Sequence, residues 1–160
     1  MMSAGDPAAL LRSVERALAS RAGPRRALVV EDDPDLARIL TTILAARGLE
    51  TRHAGSARDA IRMSEALPPD VVVLDLGLPD LDGLEVVDWL SRQGHLARIP
   101  VAVYTAHDPS REERQRLRGC GAEVFIKGRV SPEALVERAL EMIGRVAAAS
   151  GAGGKVGHGA

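Results

Sequence analysis

ALVVEDDP, residues 27–34, sets an apolar run directly against three consecutive carboxylates. Four apolar residues in succession read as a strand covered on both faces, because a half-exposed strand would alternate with polar residues. Asp33 followed by Pro34 reads as a helix start, with the carboxylate capping free N–H groups and proline suited to the first position. Glu31 and Asp32 are left between strand and helix, at the carboxyl end of the strand. Clustered like charges repel, so their presence there needs a chemical reason.

The same strand-then-helix rhythm continues outward. Strands are expected near 27–31, 49–53, 71–75, 100–104 and 123–127, and LVV, VVVL and VFI are the nearly continuous apolar runs of buried parallel strands. Gly48 lies just past the first helix, and Ser56 with Asp59 caps the second. Gly83 precedes a third helix through Val86, Val87 and Leu90, and 109–119 predicts a short, very polar fourth. Ser131-Pro132-Glu133 opens a fifth, with Leu135, Val136, Ala139, Leu140 and Ile143 on its buried face. Five strands alternating with five helices predict a doubly wound α/β fold with a five-stranded parallel sheet.

Before this unit, residues 7–21 predict an extra amphipathic helix, with Leu10, Leu11, Val14, Ala17 and Leu18 on one face. That stripe is expected to dock on the chain's own flank, on a second copy in a homodimer, or on a client. The last residues, SGAGGKVGHGA, hold five glycines and read as a flexible tail. The expected division is therefore 1–26 helix and linker, 27–146 main domain, and 147–160 tail.

Composition narrows the function classes. Of 160 residues, 46% are hydrophobic and 27% charged, the balance of an ordinary soluble domain. A net charge of −1 with one Trp, one Tyr and one Phe argues against direct nucleic-acid binding. The single cysteine, Cys120, cannot form an intrachain disulfide and fits a reducing compartment. No apolar run approaches the ~20 residues of a membrane span. No signal peptide is visible, so a cytoplasmic location is expected.

In an open parallel sheet, ligands gather beyond the carboxyl ends of the strands. Those ends carry Glu31 and Asp32, Asp75, Thr105 and Lys127. Taken singly, each has a plain reading as a cap, a turn residue, a strand-end hydroxyl or a solvated charge. Together they form a set suited to an acyl phosphate: carboxylates to hold Mg²⁺, Asp75 as nucleophile, and Thr105 and Lys127 on phosphoryl oxygens. Asp33 stands apart from that set as a helix cap.

The stretches LVVEDDPDLARIL, VVVLDLGLPDLDGLEVVDWL, IPVAVYTAH and GAEVFIKG, in this order, resemble the receiver domains of bacterial two-component response regulators. The resemblance covers about 27–146 and implies a flavodoxin-like sheet of order 2-1-3-4-5. It implies Mg²⁺ ligation by Glu31, Asp32, Asp75 and the backbone carbonyl of Gly77. Asp75 takes the position of the phospho-acceptor, Thr105 that of the switch hydroxyl, and Lys127 that of the family's lysine. Ala106 is small enough to let a phosphoryl group approach, and His107 occupies a position that tunes its lifetime in this family.

Two positions depart from the family pattern. Gly128 follows the lysine where a cis proline is common, and a trans bond is expected here. Val124 stands where many receivers carry a switch aromatic, while Phe125 is expected on the opposite face of its strand. No output domain follows the receiver in this sequence. The expectation is a single-domain regulator, not an enzyme in its own right, phosphorylated by a sensor histidine kinase or phosphotransfer protein and acting on an output protein not identified by sequence. The alternative is a receiver-shaped scaffold that works without phosphorylation. An aspartyl phosphohydrolase is disfavoured, because such enzymes of the haloacid dehalogenase type carry a second acid two residues after the nucleophile, where this chain has Gly77.

Overall fold

The computed structural model describes residues 25–159, with side chains described through residue 148. The helix expected over 7–21 lies outside the described residues. The elements are β1 (Arg26–Val30), α1 (Pro34–Ala46), β2 (Glu50–Ala54), α2 (Ala57–Ala66), β3 (Val71–Leu74), α3 (Gly83–Arg92), β4 (Val101–Thr105), α4 (Arg111–Gly119), β5 (Glu123–Ile126) and α5 (Pro132–Gly159). All strand pairs are parallel, in the order β2-β1-β3-β4-β5. The predicted sheet is the one observed, with strand ends shifted by about one residue, the usual uncertainty of such boundaries. No described helix is long and apolar enough to cross a membrane.

Alternation along the strands builds two cores. Leu28, Val30, Val72, Leu74 and Val103 point to one face, where α2, α3 and α4 cover them with Ala60, Leu84, Leu90 and Leu117. Val29, Val71, Val73 and Tyr104 point to the other, under Leu40 and Leu44 of α1 and Leu135 and Val136 of α5. Both faces of the inner strands are therefore apolar, and each fully buried Leu or Val contributes roughly 1.5–3 kcal/mol. Val124 packs on the first side and Phe125 on the second, as the period of a strand requires.

The helix starts follow local chemistry. Asp33, Ser56 and Asp82 each accept a backbone N–H at the N-cap of α1, α2 and α3, and Pro34 opens α1. Ser110 and Glu113 form a reciprocal capping box on α4, which offsets its scarcity of apolar residues. Ser131 Oγ accepts from Ala134 N at 3.1 Å at the start of α5. The last helix continues to Gly159, across the glycine-rich stretch expected as a flexible tail. Its alanines at 147–149 propagate the helix, and no proline stops it.

Candidate functional site

Hydrogen bonding of the sheet runs one residue beyond the strands, and this carries the site. Glu31 N donates to Ala54 O at 3.0 Å, Asp75 N to Val30 O at 2.9 Å, and Lys127 N to Thr105 O at 2.8 Å. Three of the candidate side chains thus leave from backbone that is still held as sheet, which fixes where they point. The order of strands reverses between β1 and β3, so Glu31 and Asp75 flank the crevice where ligands settle in such sheets.

Glu31 is 2% exposed, Asp75 8% and Thr105 2%, while Asp32 is exposed. Oxygens of Glu31, Asp32 and Asp75 lie within 4.8 Å of one another, close enough to hold one metal ion. Lys127 reaches across to both buried acids, with Nζ 2.7 Å from Glu31 Oε1 and 3.2 Å from Asp75 Oδ2. The remaining oxygens are also engaged, since Glu31 Oε2 accepts from Asp33 N and Asp75 Oδ1 from Gly77 N, each at 3.2 Å. Gly77 therefore meets the site through its N–H. Thr105 joins it through the carbonyl that receives Lys127 N.

The electrostatics reflect crowding. Burial pushes the Glu31 carboxyl up to about 7, a rise that the hydrogen bonds from Lys127 and Asp33 only partly offset and the nearby charge of Asp75 increases. For Lys127, burial pulls downward. The hydrogen bond to Glu31 and the charges of Asp75 and Glu31 outweigh it, so the ammonium is held above its ordinary range. One lysine thus serves two buried carboxylates, and the three acids together retain an excess of negative charge. Hard oxygen donors with uncompensated charge fit a small divalent cation that keeps part of its water.

Two glycines shape the loops around this centre. A Cβ on Gly83 would sit 2.6 Å from Asp75 O and 2.7 Å from Leu76 Cα, so the start of α3 approaches the backbone of Asp75 as only glycine allows. Gly128 has φ +88°, a conformation closed to proline, and no cis peptide occurs among the described residues. The trans bond expected at Lys127–Gly128 is therefore observed. The glycine supplies the turn that a proline could not.

Three contributors escaped the sequence reading. Tyr104 Oη donates to Val130 O at 2.5 Å and ties the loop after Lys127 to β4. Asp80 accepts from Ala57 N at 2.9 Å and Arg58 N at 3.0 Å, so the loop after β3 caps α2. His53 Nε2 lies 2.6 Å from the carbonyl of Glu31. All three are contacts between distant parts of the chain, for which a single sequence carries no local signal. Ala106 and His107 are exposed at the end of β4. Cys120 is a free thiol, partly buried against the core beyond α4, consistent with packing.

Residues 27–140 match the family model for the response regulator receiver domain. DivK of Brucella anthropi, a polar-differentiation response regulator, is 29% identical over 121 residues, covering 76% of this chain and 98% of the relative. KdpE of Mycobacterium tuberculosis, a transcriptional regulatory protein, is 38% identical over 99 residues, covering 62% of this chain and 42% of its own length. The signal receiver domain of a signal transduction histidine kinase from Syntrophus aciditrophicus superposes with a TM-score of 0.66 at 30% identity, covering 76% of this chain and 92% of that one. A CheY-like receiver domain protein from Methanospirillum hungatei shares the fold, with a TM-score of 0.69 at 24% identity over 77% of this chain and 96% of its own. Because the matched stretch takes in the whole acidic crevice together with Thr105 and Lys127, the chain belongs to the response regulator receiver domain family and is a phosphoryl-accepting signalling protein.

Proposed function

We propose that Asp75 is the phospho-acceptor of this receiver, and that a sensor histidine kinase or phosphotransfer protein in the cytoplasm donates the phosphoryl group. The observation that carries this reading is the bridging of Glu31 and Asp75 by one ammonium, beside an exposed third carboxylate. Glu31, Asp32 and Asp75, with the carbonyl of Gly77, would hold Mg²⁺, which when bound neutralises phosphoryl oxygens. A carboxylate oxygen of Asp75 attacks phosphorus while the bond from phosphorus to the donor's histidine nitrogen breaks, giving an acyl phosphate. Lys127 then exchanges its contact with Asp75 for a phosphoryl oxygen, and the Thr105 hydroxyl donates to another.

Output follows from rearrangement around Lys127. Its backbone belongs to the β5–α5 connection, so a movement of the ammonium is felt at the α4–β5–α5 edge. Val124 and Phe125 lie on that edge, half-buried. With Val124 in the aromatic's usual position, the coupling runs through the Lys127 loop and its Tyr104 tether.

Acetyl phosphate with Mg²⁺ should add one base-labile phosphoryl group, read by intact mass. Asp75→Asn should abolish the gain. Undiminished labelling of that variant would refute the assignment.

A further inference from the structure

Where β1 and β2 approach the acidic crevice, a side chain takes over from their backbone ladder. In a parallel pair, every second residue of a strand donates and accepts across the gap. Glu50 N donates to Arg25 O at 2.8 Å, and Ala54 O receives Glu31 N at 3.0 Å. The next rung in this series joins Ser56 N to Glu31 O. Yet β2 ends at Ala54, and Ser56 is already the N-cap of α2. His53 Nε2 stands in for that rung, 2.6 Å from Glu31 O. A carbonyl only accepts, so Nε2 carries the hydrogen, and it does so whether or not the other ring nitrogen is protonated. The role is therefore one of geometry.

This bond bears on the next acid in the chain. Asp32 is exposed, and its carboxylate makes no hydrogen bond or ion pair among the described residues. Its direction is set by the peptides on either side. The one before it is planar and carries the carbonyl that His53 holds. The one after it carries Asp33 N, which donates to Glu31 Oε2 at 3.2 Å. Glu31 and Asp75 are buried and share Lys127, whereas Asp32 depends on these two backbone ties. The second tie ends on Glu31, itself a candidate ligand. His53 thus supplies the tie anchored outside the acidic group, on the edge strand of the sheet. The oxygens gathered for a metal come from Glu31, Asp32 and Asp75, and His53 meets them only through a backbone carbonyl. That makes it a positioning residue.

We propose that His53 positions Asp32 for the divalent cation by fixing the Glu31–Asp32 peptide from β2. Partners that orient a ligand from outside commonly change metal affinity by about tenfold or more. The proposal rests on the Mg²⁺ reading of Glu31, Asp32 and Asp75 above and adds a residue that sets how strongly the ion is held.

The test titrates the full chain with Mg²⁺ by calorimetry at one pH and ionic strength. Labelling by acetyl phosphate is then followed across Mg²⁺ concentrations. His53→Ala should raise the Mg²⁺ dissociation constant about tenfold. The Mg²⁺ concentration for half-maximal labelling should rise in step, while the rate at saturating Mg²⁺ falls far less. His53→Gln carries an amide donor as many bonds from Cα as Nε2 and should restore most of the affinity. His53→Asn is one bond shorter and should behave like the alanine variant. Thr51→Ala, on the same strand and face, should bind Mg²⁺ as wild type does. Urea midpoints of every variant distinguish a loosened fold from a loosened ligand. Unchanged Mg²⁺ affinity in His53→Ala would overturn the proposal. So would equal weakening in the Gln and Ala variants, or a weakening that follows lost stability across the whole set, Thr51→Ala included. If Asp32→Asn weakens Mg²⁺ binding and His53→Ala does not, the positioning role fails and the metal reading stands. If wild type binds no Mg²⁺, the metal reading fails and the positioning role falls with it.

Discussion

Replacing Gly83 by alanine should disturb the proposed phosphorylation site from outside it. The added Cβ would lie 2.6 Å from Asp75 O and 2.7 Å from Leu76 Cα. Ordinary contacts of these kinds fall near 3.3 Å or more, so the loop and the first turn of α3 must separate by roughly 0.7 Å. Both obstructing atoms are backbone and cannot rotate aside. Gly83 N also donates to Leu76 O at 3.0 Å, a bond that the separation stretches. Overpacking of this sort costs roughly 1–3 kcal/mol. The helix gains at most about 1 kcal/mol from alanine, and less at its first residue. A net loss of about 1–2 kcal/mol follows, read as a lower urea midpoint with an unchanged slope. Because the displaced backbone is that of Asp75, phosphorylation by acetyl phosphate should slow by about tenfold or more. Gly94→Ala, which meets nothing within 4 Å, is the control and should be neutral in both assays. Wild-type stability and labelling rate in Gly83→Ala would refute the claim that this contact positions Asp75.

Glu31 makes the metal-free protein pH-sensitive. Its folded pKa of about 7 lies above the ordinary 4.5, so its contribution is present below about pH 4.5 and lost as pH rises through about 7. Glu31→Gln should therefore be more stable than wild type at pH 8, by up to about 3 kcal/mol, and lose that advantage at pH 5; equal urea midpoints at pH 8 would contradict the assignment. Asp32→Asn should weaken Mg²⁺ binding in calorimetric titration while raising metal-free stability by a few tenths of a kcal/mol, since it removes one charge from a repelling group. Lys127→Ala strands two acids that lose their shared ammonium, so its stability deficit should widen above pH 7 in parallel denaturation curves, and Lys127→Arg should not restore phosphorylation-dependent partner binding. Tyr104→Phe removes the donor to Val130 O and should cost about 1 kcal/mol, with faster amide exchange at 128–130 and labelling of Asp75 retained.

The architecture could be read before any coordinates because its signals are local and repeated. The apolar runs around Val29, Val73 and Val103, the caps at Asp33 and Ser56 and the proline at 34 each act within a few residues. Parallel strands must also be connected by crossovers. Glu31, Asp75 and Lys127 were readable for the same reason, since a charge at the end of a buried strand stands out against its neighbours. The alternation that sends Val124 and Phe125 to opposite cores needs no knowledge of what packs there.

Other properties depend on distances that no spacing encodes. Whether Lys127 bridges two acids or waves in solvent depends on where β5 lies relative to β1, and packing of the whole sheet brings Lys127 Nζ to 2.7 Å from Glu31 Oε1. Gly83 looks like an ordinary helix start until the backbone of Asp75 is found against it. Tyr104 looks like a core residue until its hydroxyl meets Val130, and Asp80 like a turn residue until α2 arrives to be capped. Periodicity and capping act within a turn or two of chain, whereas charge, burial and close approach are properties of a volume that several elements fill together.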